Sequence, residues 1–576
     1  AWSSGVSRWR GTNGRRSPTS PTGGDLRDEA QLIITTLSLA GGLFVLAMTW
    51  GPSYRTVAAV GSLAIDGPTQ VWWGLVLVFA LLASLLLAER RLYGGVTTFV
   101  SMAAAVPASP LERRAEALKY EHTEVFPLML FAVTGMLLFP AANDTLMMFV
   151  ALEIFSLPLY LLSGLARRRR LASQEAALKY FLLGSLSSAI FLFGAALLYG
   201  FSGSFSFSAI AAALPTATQG QSLLVLGLVT VTVGLRFKVG AVPFHSWTPD
   251  VYVGAPTPVT AFMAICTKIA AVGALVRLLY VALGPARWDW QPVVAIVAVL
   301  TMALGAVLAI VQTDIKRMLA YSSIAHAGFL LTAVVGAATP QSGVAAGQLG
   351  STGAIGFYLA AYGFATLGAF AVVTMVRSET GEQNHLAAWS GLGKRHPVLA
   401  GAMTLFMLSF AGIPLTAGFI GKWVVFAAAF RGGYWWLVLV AVLMSLVAAY
   451  FYLRVIATHL GQALHILDRF HITSHLNDAL DQVRRAECSR LQGRPQATKL
   501  KRMRWKLLRR GSRVRGHAKR KLWGLLRTKL ATGRAWMLKE TFEDFWHYRS
   551  LTWARAFLSV WTERALRSRI EPMRKV

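Results

Sequence analysis

The chain is poor in cysteine, in acidic residues and in charge as a whole. Its 576 residues include two cysteines, Cys266 and Cys488, which do not form a Cys-x-x-Cys pair. Iron–sulfur ligation and a disulfide framework are therefore not expected. Charged residues make up only 14 % of the chain, and 26 Asp and Glu stand against 57 Lys and Arg. We expect no bound cofactor and no metal site.

Motifs for nucleotide binding are missing as well. No Gly-x-Gly-x-x-Gly follows a strand pattern, and Gly391-Leu-Gly-Lys394 lacks the spacing of a phosphate-binding loop. We interpret the latter as a loop between helices. Segments of about ten residues with alternating polarity, which would indicate a membrane β-barrel, do not occur either. These absences exclude a redox or nucleotide-binding role for this chain and leave a helical protein.

Hydrophobic residues are abundant: they form 55 % of the chain, and the mean hydropathy is +0.51. Runs of 18–25 apolar residues are long enough to cross the hydrocarbon core of about 30 Å as helices. The sequence therefore predicts an all-α polytopic membrane protein with twelve spans. These lie at about 31–50, 70–88, 125–140, 145–165, 176–200, 222–243, 256–283, 291–311, 318–337, 352–376, 398–430 and 434–457.

Two of the predicted spans contain a break. The 398–430 stretch is too long for one crossing and is interrupted at Gly412-Ile-Pro414, while the 222–243 stretch meets Gly240-Ala-Val-Pro243. Proline removes a backbone donor, so the freed carbonyls need protein or water as partners. Broken helices in two corresponding places indicate a transport site.

The basic residues of the loops give an orientation. Even numbers of spans separate the successive clusters, so all of them fall on one face, which the positive-inside rule makes cytoplasmic. The clusters are Glu89-Arg-Arg91, Arg113-Arg114, Arg167–Arg170, Lys316-Arg317, Arg377, Lys394-Arg395 and Arg454. We call this side the basic face.

The two ends of the chain differ from its body. Residues 1–30 are rich in Ser, Gly and Arg, begin with Ala1 and lack a convincing signal peptide, so we interpret them as disordered or non-native. Residues 461–576 hold 28 Lys and Arg against 9 Asp and Glu, a net charge of +19, and the rest of the chain carries +12. This tail is an interfacial amphipathic segment on anionic lipid, a nucleic-acid-binding segment, or not native coding sequence.

The expected domains are thus a non-native or disordered segment (1–30), peripheral N-terminal membrane helices with a cytoplasmic loop (31–120), a transmembrane core (121–457), for which the residues described next indicate proton translocation, and a basic tail of uncertain origin (458–576). The core is where ionisable residues fall inside predicted spans.

Four charged residues lie well inside these spans: Glu153, Lys238, Lys268 and Lys422. A charge at bilayer depth costs about 3 kcal/mol on insertion scales, so it faces a partner or water. Lys268 is about 12 residues, or about 18 Å, into its span, too deep for its side chain to reach the headgroups. We predict that the lysines move protons and that Glu153 switches Lys238; a static ion pair is the alternative.

Two further residues are weaker candidates. Lys179 lies about three residues from the start of its span, where it can extend to the headgroups instead. His326 is suited to a proton relay because imidazole titrates near neutral pH, but a histidine hydrogen-bonded within the bundle is an equal alternative.

The motifs around these residues carry a family resemblance. They are Phe237-Lys-Val-Gly-Ala-Val-Pro-Phe-His-Ser-Trp-Thr-Pro-Asp250, Val251-Tyr-Val-Gly-Ala-Pro-Thr-Pro258, Thr313-Asp-Ile-Lys-Arg-Met-Leu-Ala-Tyr-Ser-Ser323 and Gly412-Ile-Pro-Leu-Thr-Ala-Gly-Phe-Ile-Gly-Lys422. They resemble the antiporter-like subunits of respiratory complex I, the proton-pumping NADH:quinone oxidoreductase, in the N form rather than the L or M form. The resemblance covers about residues 120–457.

The resemblance implies a bundle of about fourteen helices with two inverted five-helix repeats, each containing one broken helix. Glu153 resembles the family's glutamate on the fifth helix, Lys238 the lysine on the broken seventh, Lys268 the central lysine on the eighth and Lys422 the lysine on the broken twelfth. Two departures are that Arg236 replaces a usually apolar residue and that we count twelve spans rather than fourteen.

The implied function is proton translocation by a multi-pass subunit in the bacterial inner membrane, coupled to quinone reduction by other subunits. Other complex I membrane subunits, the lipid bilayer and protons are the expected partners, and no nucleic acid is expected. A subunit of a multisubunit Na⁺/H⁺ antiporter and a non-transporting scaffold of a respiratory complex remain as alternatives.

Overall fold

The computed structural model describes residues 23–93, 96–102, 105–106, 109–117, 124–215, 220–337, 349–378, 381–460, 469–508, 511, 514, 516–528, 530–547 and 551–574. Helices make up most of this described part. The chain divides into two compact units, Ala1–Ala463 and Leu464–Val576.

The helices of the first unit follow the hydropathy pattern. Ten are long and apolar enough to cross a membrane by length and composition. The helices are Gly23–Met48, Gly67–Leu87, Pro110–Ala117, Val125–Ala141, Thr145–Ser163, Arg170–Ser202, Phe207–Ala213, Gln221–Val239, Trp247–Gly254, Thr257–Ala282, Arg287–Ile310, Ile315–Val335, Ser351–Met375, Leu392–Arg395, Pro397–Ala411, Ala417–Arg431 and Trp435–Val455.

All twelve predicted spans correspond to helices, so the predicted all-α membrane fold is confirmed. The helices extend past the apolar stretches at some ends. The first begins at Gly23 instead of residue 31, and the fifth begins at Arg170 instead of residue 176. Hydropathy marks only the part of a helix that lies in hydrocarbon, so polar turns at the ends are missed.

Several helices of the first unit start at a side-chain cap. Asp66, Asp144 and Asp314 each accept a hydrogen bond from the backbone N–H three residues later, at 3.0, 2.6 and 3.0 Å. Thr416 caps the helix Ala417–Arg431 in the same way. An oxygen at this position satisfies one of the unpaired N–H groups of the first turn, which explains why these helices begin where they do.

Two small antiparallel hairpins join helices in the described part of this unit. One pairs Thr56–Ala58 with Leu63–Ile65, and the other pairs Arg377–Ser378 with Gly381–Glu382. One-turn 3₁₀ segments occur at Pro52–Tyr54, Ala59–Gly61, Arg91–Tyr93 and Leu386–Trp389.

Both predicted breaks are present and share one backbone geometry. Gly240 ends the helix Gln221–Val239 with φ of 79°, and Gly412 ends Pro397–Ala411 with φ of 75°. Glycine adopts this left-handed conformation without a Cβ clash. The chain resumes as the helices Trp247–Gly254 and Ala417–Arg431, respectively. Each break therefore divides one span into two half-helices.

The helix Thr257–Ala282 is the most completely buried span, and Ile315–Val335 is nearly as buried. Thr257–Ala282 contains two π-helical turns, Met263–Thr267 and Leu278–Ala282. Trp72, Phe139, Phe155 and Trp290 are among the large side chains that fill the core. A helix that is apolar on all sides is expected at the centre of a bundle.

The second unit has its own hydrophobic core, which includes Leu480, Leu500, Leu507 and Phe542. Its described helices are Arg469–Arg490, Pro495–Arg502, Arg504–Leu508, Gly516–Leu526, Ala531–Phe542, Leu551–Arg567 and Glu571–Arg574, with a 3₁₀ segment at Glu543–His547. Within the described residues, this segment is therefore a packed helical unit and not a single amphipathic helix.

Candidate functional site

The three deep lysines are all buried. Lys238, Lys268 and Lys422 are 2, 3 and 5 % exposed, although lysine is almost never buried in proteins without a partner. Lys238 lies in the last turn before the first break, and Lys422 lies in the second turn after the second break. Lys268 begins the helical segment that follows the π turn Met263–Thr267. Such π turns occur often at functional sites.

Lys238 lies in a box of aromatic rings. Its Nζ is 5.2 Å from the ring centroid of Phe155, 5.2 Å from that of Tyr160 and 5.0 Å from that of Tyr180. Within the described part of the chain, this Nζ has no hydrogen-bond partner. Ring faces attract an ammonium group electrostatically, but they accept no strong hydrogen bond. Lys238 can therefore gain or lose a proton without breaking a hydrogen bond.

Glu153 lies on the same helix as Phe155 and Tyr160, two of the rings that surround Lys238. Its carboxylate interacts electrostatically with Lys238, but the two are not among the ion pairs within 4 Å in the described residues. One carboxylate oxygen of Glu153 is buried without a hydrogen-bond partner. The two side chains of the predicted pair are thus close enough to interact but not in direct contact.

Lys268 is held by a neighbouring helix. Its Nζ donates to the backbone oxygen of Ser323 at 2.5 Å and to the Ser323 hydroxyl at 2.7 Å. The same Nζ lies 5.4 Å from the ring centroid of Tyr362. The hydroxyls of Tyr252 and Tyr362 both lie against the Ser323 hydroxyl. Lys268 therefore joins a cluster of hydroxyl groups in the centre of the bundle.

Lys422 fills the second break. Its Nζ donates to the backbone oxygens of Phe410 and Ala411, both at 2.9 Å, and to the Ser445 hydroxyl at 2.8 Å. These carbonyls are at the C-terminal end of a half-helix, where the helix dipole favours a cation. The lysine therefore supplies the donors that the interrupted helix lacks.

His326 lies between the sites of Lys268 and Lys422. Its Nδ1 is 2.5 Å from the Tyr358 hydroxyl, and its Nε2 is 3.3 Å from the Tyr452 hydroxyl. Tyr452 is in turn hydrogen-bonded to Ser322, the neighbour of Ser323. Both lysines interact electrostatically with the histidine ring. Ser322, Tyr452, His326 and Tyr358 therefore form a hydrogen-bonded chain between the two lysine sites, and all of these side chains can donate and accept protons.

Lys179 is not part of this buried group. Its side chain is 42 % exposed, and its Nζ forms ion pairs with Glu175 at 2.7 Å and with Asp250 at 2.8 Å. Asp250 also pairs with Arg317 at 2.8 Å. This surface cluster matches the alternative in which Lys179 reaches the edge of its span. Arg236 is half-buried one helical turn before the first break.

Sequence reasoning missed the hydroxyl groups that join the lysines: Ser322, Ser323, Tyr358, Tyr362 and Tyr452. Serine and tyrosine are common in membrane helices, so their composition carries no signal. The spacing of Ser322, Ser323 and His326 within one turn of a single helix was the available indication.

The burial of Lys316 was not predicted. The sequence placed Lys316 in a basic cluster with Arg317; Arg317 is partly exposed, whereas Lys316 is 2 % exposed and donates to the backbone oxygen of Ala255 at 2.8 Å. Lys316 lies on the same helix face as Ser323, seven residues later, and this face is turned into the bundle. Within the described residues, no group of His, Cys, Asp and Glu could hold a metal ion.

Comparisons with known proteins agree with the geometry of the first unit. Residues 142–448 match a transmembrane family described as NADH:quinone oxidoreductase/Mrp antiporter. The protein named NADH-quinone oxidoreductase subunit N from Nocardioides sp. is 58 % identical over 422 residues, which are 73 % of this chain and 79 % of the relative. Residues 440–576 match a different family, described as a transposase.

Solved structures give the same result. A chain of respiratory complex I from Thermus thermophilus with bound aureothin is 38 % identical, with a TM-score of 0.58; the match covers 74 % of this chain and 83 % of that chain. A chain of the Mrp complex from Dietzia sp. has a TM-score of 0.61 at 21 % identity, over 74 % of this chain and 75 % of that chain. The second similarity concerns the fold alone.

Proposed function

The chain belongs to the NADH:quinone oxidoreductase/Mrp antiporter transmembrane family, among the N subunits of NADH-quinone oxidoreductase, and from this membership we propose that Lys238, Lys268 and Lys422 carry protons through it. It is a multi-pass membrane subunit of bacterial complex I, and other membrane subunits of that complex are its partners. As a subunit, it is part of an enzyme that oxidises NADH and reduces quinone.

The polar side chains between Lys268 and Lys422 support this proposal most strongly. Lys268 donates to Ser323, and the neighbouring Ser322 starts a hydrogen-bonded chain through Tyr452 to His326, whose ring interacts electrostatically with Lys422. The hydroxyls and the imidazole can each donate and accept a hydrogen bond, so a proton can be passed on while another is received. A buried network without such a task would cost stability compared with apolar packing.

In the proposed sequence of steps, Lys238 receives or releases its proton in the aromatic box, and Glu153 controls it. When the carboxylate approaches, the ammonium form of Lys238 is stabilised; when the carboxylate withdraws, the proton is released toward Lys268. The histidine and tyrosines then carry a proton to Lys422, which releases it at the second break. The conformational or electrostatic signal comes from the subunits that reduce quinone.

The two alternative functions differ from this one in simple measurements. A Na⁺/H⁺ antiporter subunit would exchange sodium for protons without NADH or quinone, whereas the identity of 58 % to an N subunit favours complex I. A scaffold would tolerate the loss of the lysines.

The decisive experiment is Lys268→Ala in complex I reconstituted into vesicles. We expect proton uptake per electron to fall at least threefold, because the buried amine that donates to Ser323 of the hydroxyl cluster is lost. Lys394→Ala is the matched control, since Lys394 is an exposed lysine of the basic face. Unchanged proton uptake in Lys268→Ala would contradict the proposal and leave a non-transporting scaffold as the remaining function.

For the second unit, Leu464–Val576, we propose an origin in transposase-like coding sequence and no part in proton movement. Three observations support this: the match of residues 440–576 to transposases, the separate hydrophobic core, and the net charge of +19 over residues 461–576. Cutting the purified complex at a protease site inserted after Ala463 should leave proton uptake unchanged. A loss of uptake on cleavage would contradict the proposal.

A further inference from the structure

A polar cavity of about 280 Å³ opens beside the central helices on the basic face. It is lined by Arg168 and Arg169, which precede the helix Arg170–Ser202, by Arg377 and Glu382 of the second hairpin, and by Lys316. Arginines from two of the predicted basic clusters thus meet at one cavity, together with the buried lysine of a third. The volume is sufficient for several water molecules.

Lys316 is the deepest cation of this cavity, and its position is unusual. Its ammonium donates to the backbone oxygens of Ala255 at 2.8 Å and Val253 at 3.4 Å, at the end of the half-helix Trp247–Gly254. It therefore caps the second half of the first broken helix, as Lys422 caps the first half of the second. None of the proton-transfer steps described above uses Lys316.

Glu382 supplies a negative charge near Lys316 without forming an ion pair with it. The carboxylate accepts a hydrogen bond from the Thr257 hydroxyl at 2.6 Å and lies 3.7 Å from the guanidinium of Arg377. It interacts electrostatically with Lys316. Lys316 and Glu382 thus repeat the arrangement of Lys238 and Glu153, a buried lysine with a carboxylate held at a distance.

The helix Ile315–Val335 connects Lys316 to the central lysine. Ser323 lies seven residues after Lys316, on the same face of the helix and about 10 Å farther along it. Ser323 accepts the hydrogen bonds of Lys268, and the Tyr252 hydroxyl lies against it. A lysine side chain reaches about 6 Å, so an ammonium that leaves Ala255 covers more than half of this distance.

We propose that Lys316 is the proton acceptor through which Lys268 is loaded from the basic face, with Glu382 as its counter-charge. The inference rests on the proposed proton function. A proton from water in the cavity adds to the neutral amine of Lys316, and the ammonium releases it to the hydroxyls of Tyr252 and Ser323. Each hydroxyl gives up one proton as it accepts one. The neutral amine of Lys268 takes the last proton, and Lys316 returns to its neutral form.

The test compares Lys316→Arg with Lys316→Met in reconstituted complex I. Arginine keeps the charge and can donate to Val253 and Ala255, but it does not release a proton in proteins. We expect both variants to lower proton uptake per electron at least threefold, with Lys394→Arg as the unchanged control. If Lys316→Arg retains full uptake and only Lys316→Met loses it, Lys316 merely caps the half-helix, and the proposal is overturned.

A second measurement serves if these variants fail to assemble. Gln383 lines the same cavity, and its side chain is half-buried. Neither native cysteine lines this cavity, and both are buried, so the cysteine of Gln383→Cys is the thiol that a reagent in the cavity modifies. A membrane-impermeant cationic thiol reagent added on the basic face should modify it and lower proton uptake at least threefold. Complete modification with full uptake would overturn the proposal.

The Lys268→Ala variant separates the two proposals. If Lys268→Ala loses proton uptake while the modified Gln383→Cys and Lys316→Arg variants keep it, proton translocation stands and the route through Lys316 is wrong. If Lys268→Ala keeps full uptake, the proposed function fails first, and the route fails with it.

Discussion

The two breaks have the same backbone hydrogen-bond pattern, but the contacts of their lysines differ. At the first, Ala241 donates to the oxygen of Arg236 at 2.9 Å and Gly240 to that of Phe237 at 3.1 Å. At the second, Ile413 donates to the oxygen of Leu408 at 3.1 Å and Gly412 to that of Ser409 at 3.0 Å. This is the Schellman pattern that commonly ends helices. The repetition agrees with an internal repeat of the fold.

The two breaks differ in which side chain donates a hydrogen bond to the carbonyls at the end of the first half-helix. At the first break, the indole Nε1 of Trp247 donates to the oxygen of Phe237 at 2.9 Å, and Lys238 is left among aromatic rings. At the second, Lys422 itself donates to Phe410 and Ala411. Releasing a proton from Lys422 weakens the hold on the break, whereas releasing one from Lys238 disturbs no hydrogen bond. The second break is thus coupled to its lysine, and the first is not.

The largest expected effect is on stability, in Lys422→Leu against Lys238→Leu. Removing Lys422 leaves two buried carbonyls and one hydroxyl without their donor, which we expect to cost about 3 kcal/mol of unfolding free energy. Removing Lys238 relieves a buried charge and loses only ring contacts, so we expect a change within about 1 kcal/mol. Denaturation midpoints in one detergent measure both.

Ser445→Ala is the control for this pair, because it removes only one of the three acceptors of Lys422. Its loss of stability should fall between those of the two leucine variants. Equal losses in Lys422→Leu and Lys238→Leu would mean that the two breaks do not differ as described.

A smaller effect is expected for Trp247→Phe. Phenylalanine keeps a ring for stacking on Tyr180 but removes the donor to Phe237, which should cost about 1 kcal/mol. Proton uptake per electron should also fall, because the Phe237 carbonyl then keeps only the N–H of Gly240 as a donor and can accept a hydrogen bond from the ammonium of Lys238.

The matched control is Trp290→Phe. The Trp290 indole makes the same kind of bond, to the oxygen of Leu283 at 2.9 Å, at a helix end away from both breaks. It should lose similar stability but keep proton uptake. If the two variants show equal proton uptake, the hydrogen bond of Trp247 has no role in the function of the first break.

The sequence predicted the spans, the two breaks and the burial of Lys238, Lys268 and Lys422, because apolar length, Gly-x-Pro punctuation and depth are local properties. The family prediction is confirmed by the comparisons. The partners of the lysines were not predictable in the same way. Which carbonyl receives Lys422, and whether Glu153 touches Lys238, depend on how helices pack, and no local pattern encodes that.

The burial of Lys316 also depends on helix packing and could not be predicted from a local pattern. Its position beside Arg317 and near a span end indicated an exposed basic cluster, and only the packing of Ile315–Val335 against the end of Trp247–Gly254 buries it. The roles of the six candidate residues in proton transfer remain predictions until the variants are measured.

The smallest expected effect concerns a third buried cation, Arg277, which serves as a reference for Lys238 and Lys422. Arg277 is 6 % exposed and donates to the Asp66 carboxylate, to the Thr69 hydroxyl and to the oxygen of Pro140, each at 2.7 Å. It is anchored by a carboxylate in contact, unlike Lys238 and Lys422. Asp66→Asn removes that charge but keeps a side chain that caps helices well. Because Asp66 is 39 % exposed, we expect a loss of only about 0.5 kcal/mol.

The pH dependence identifies this loss as electrostatic. Burial raises the pKa of Asp66, but the charge of Arg277 and the hydrogen bonds from Thr69 and Arg277 outweigh it and lower the pKa below its usual value. A lowered carboxyl pKa stabilises the folded state above the unfolded pKa of about 4, and this contribution is lost as pH falls through the folded value. The difference in denaturation midpoint between the native chain and Asp66→Asn should therefore stay constant from pH 8 to about pH 5 and shrink below about pH 4. A difference that persists undiminished at low pH would instead indicate lost packing, and the anchored cation could not then serve as the reference for the two lysines.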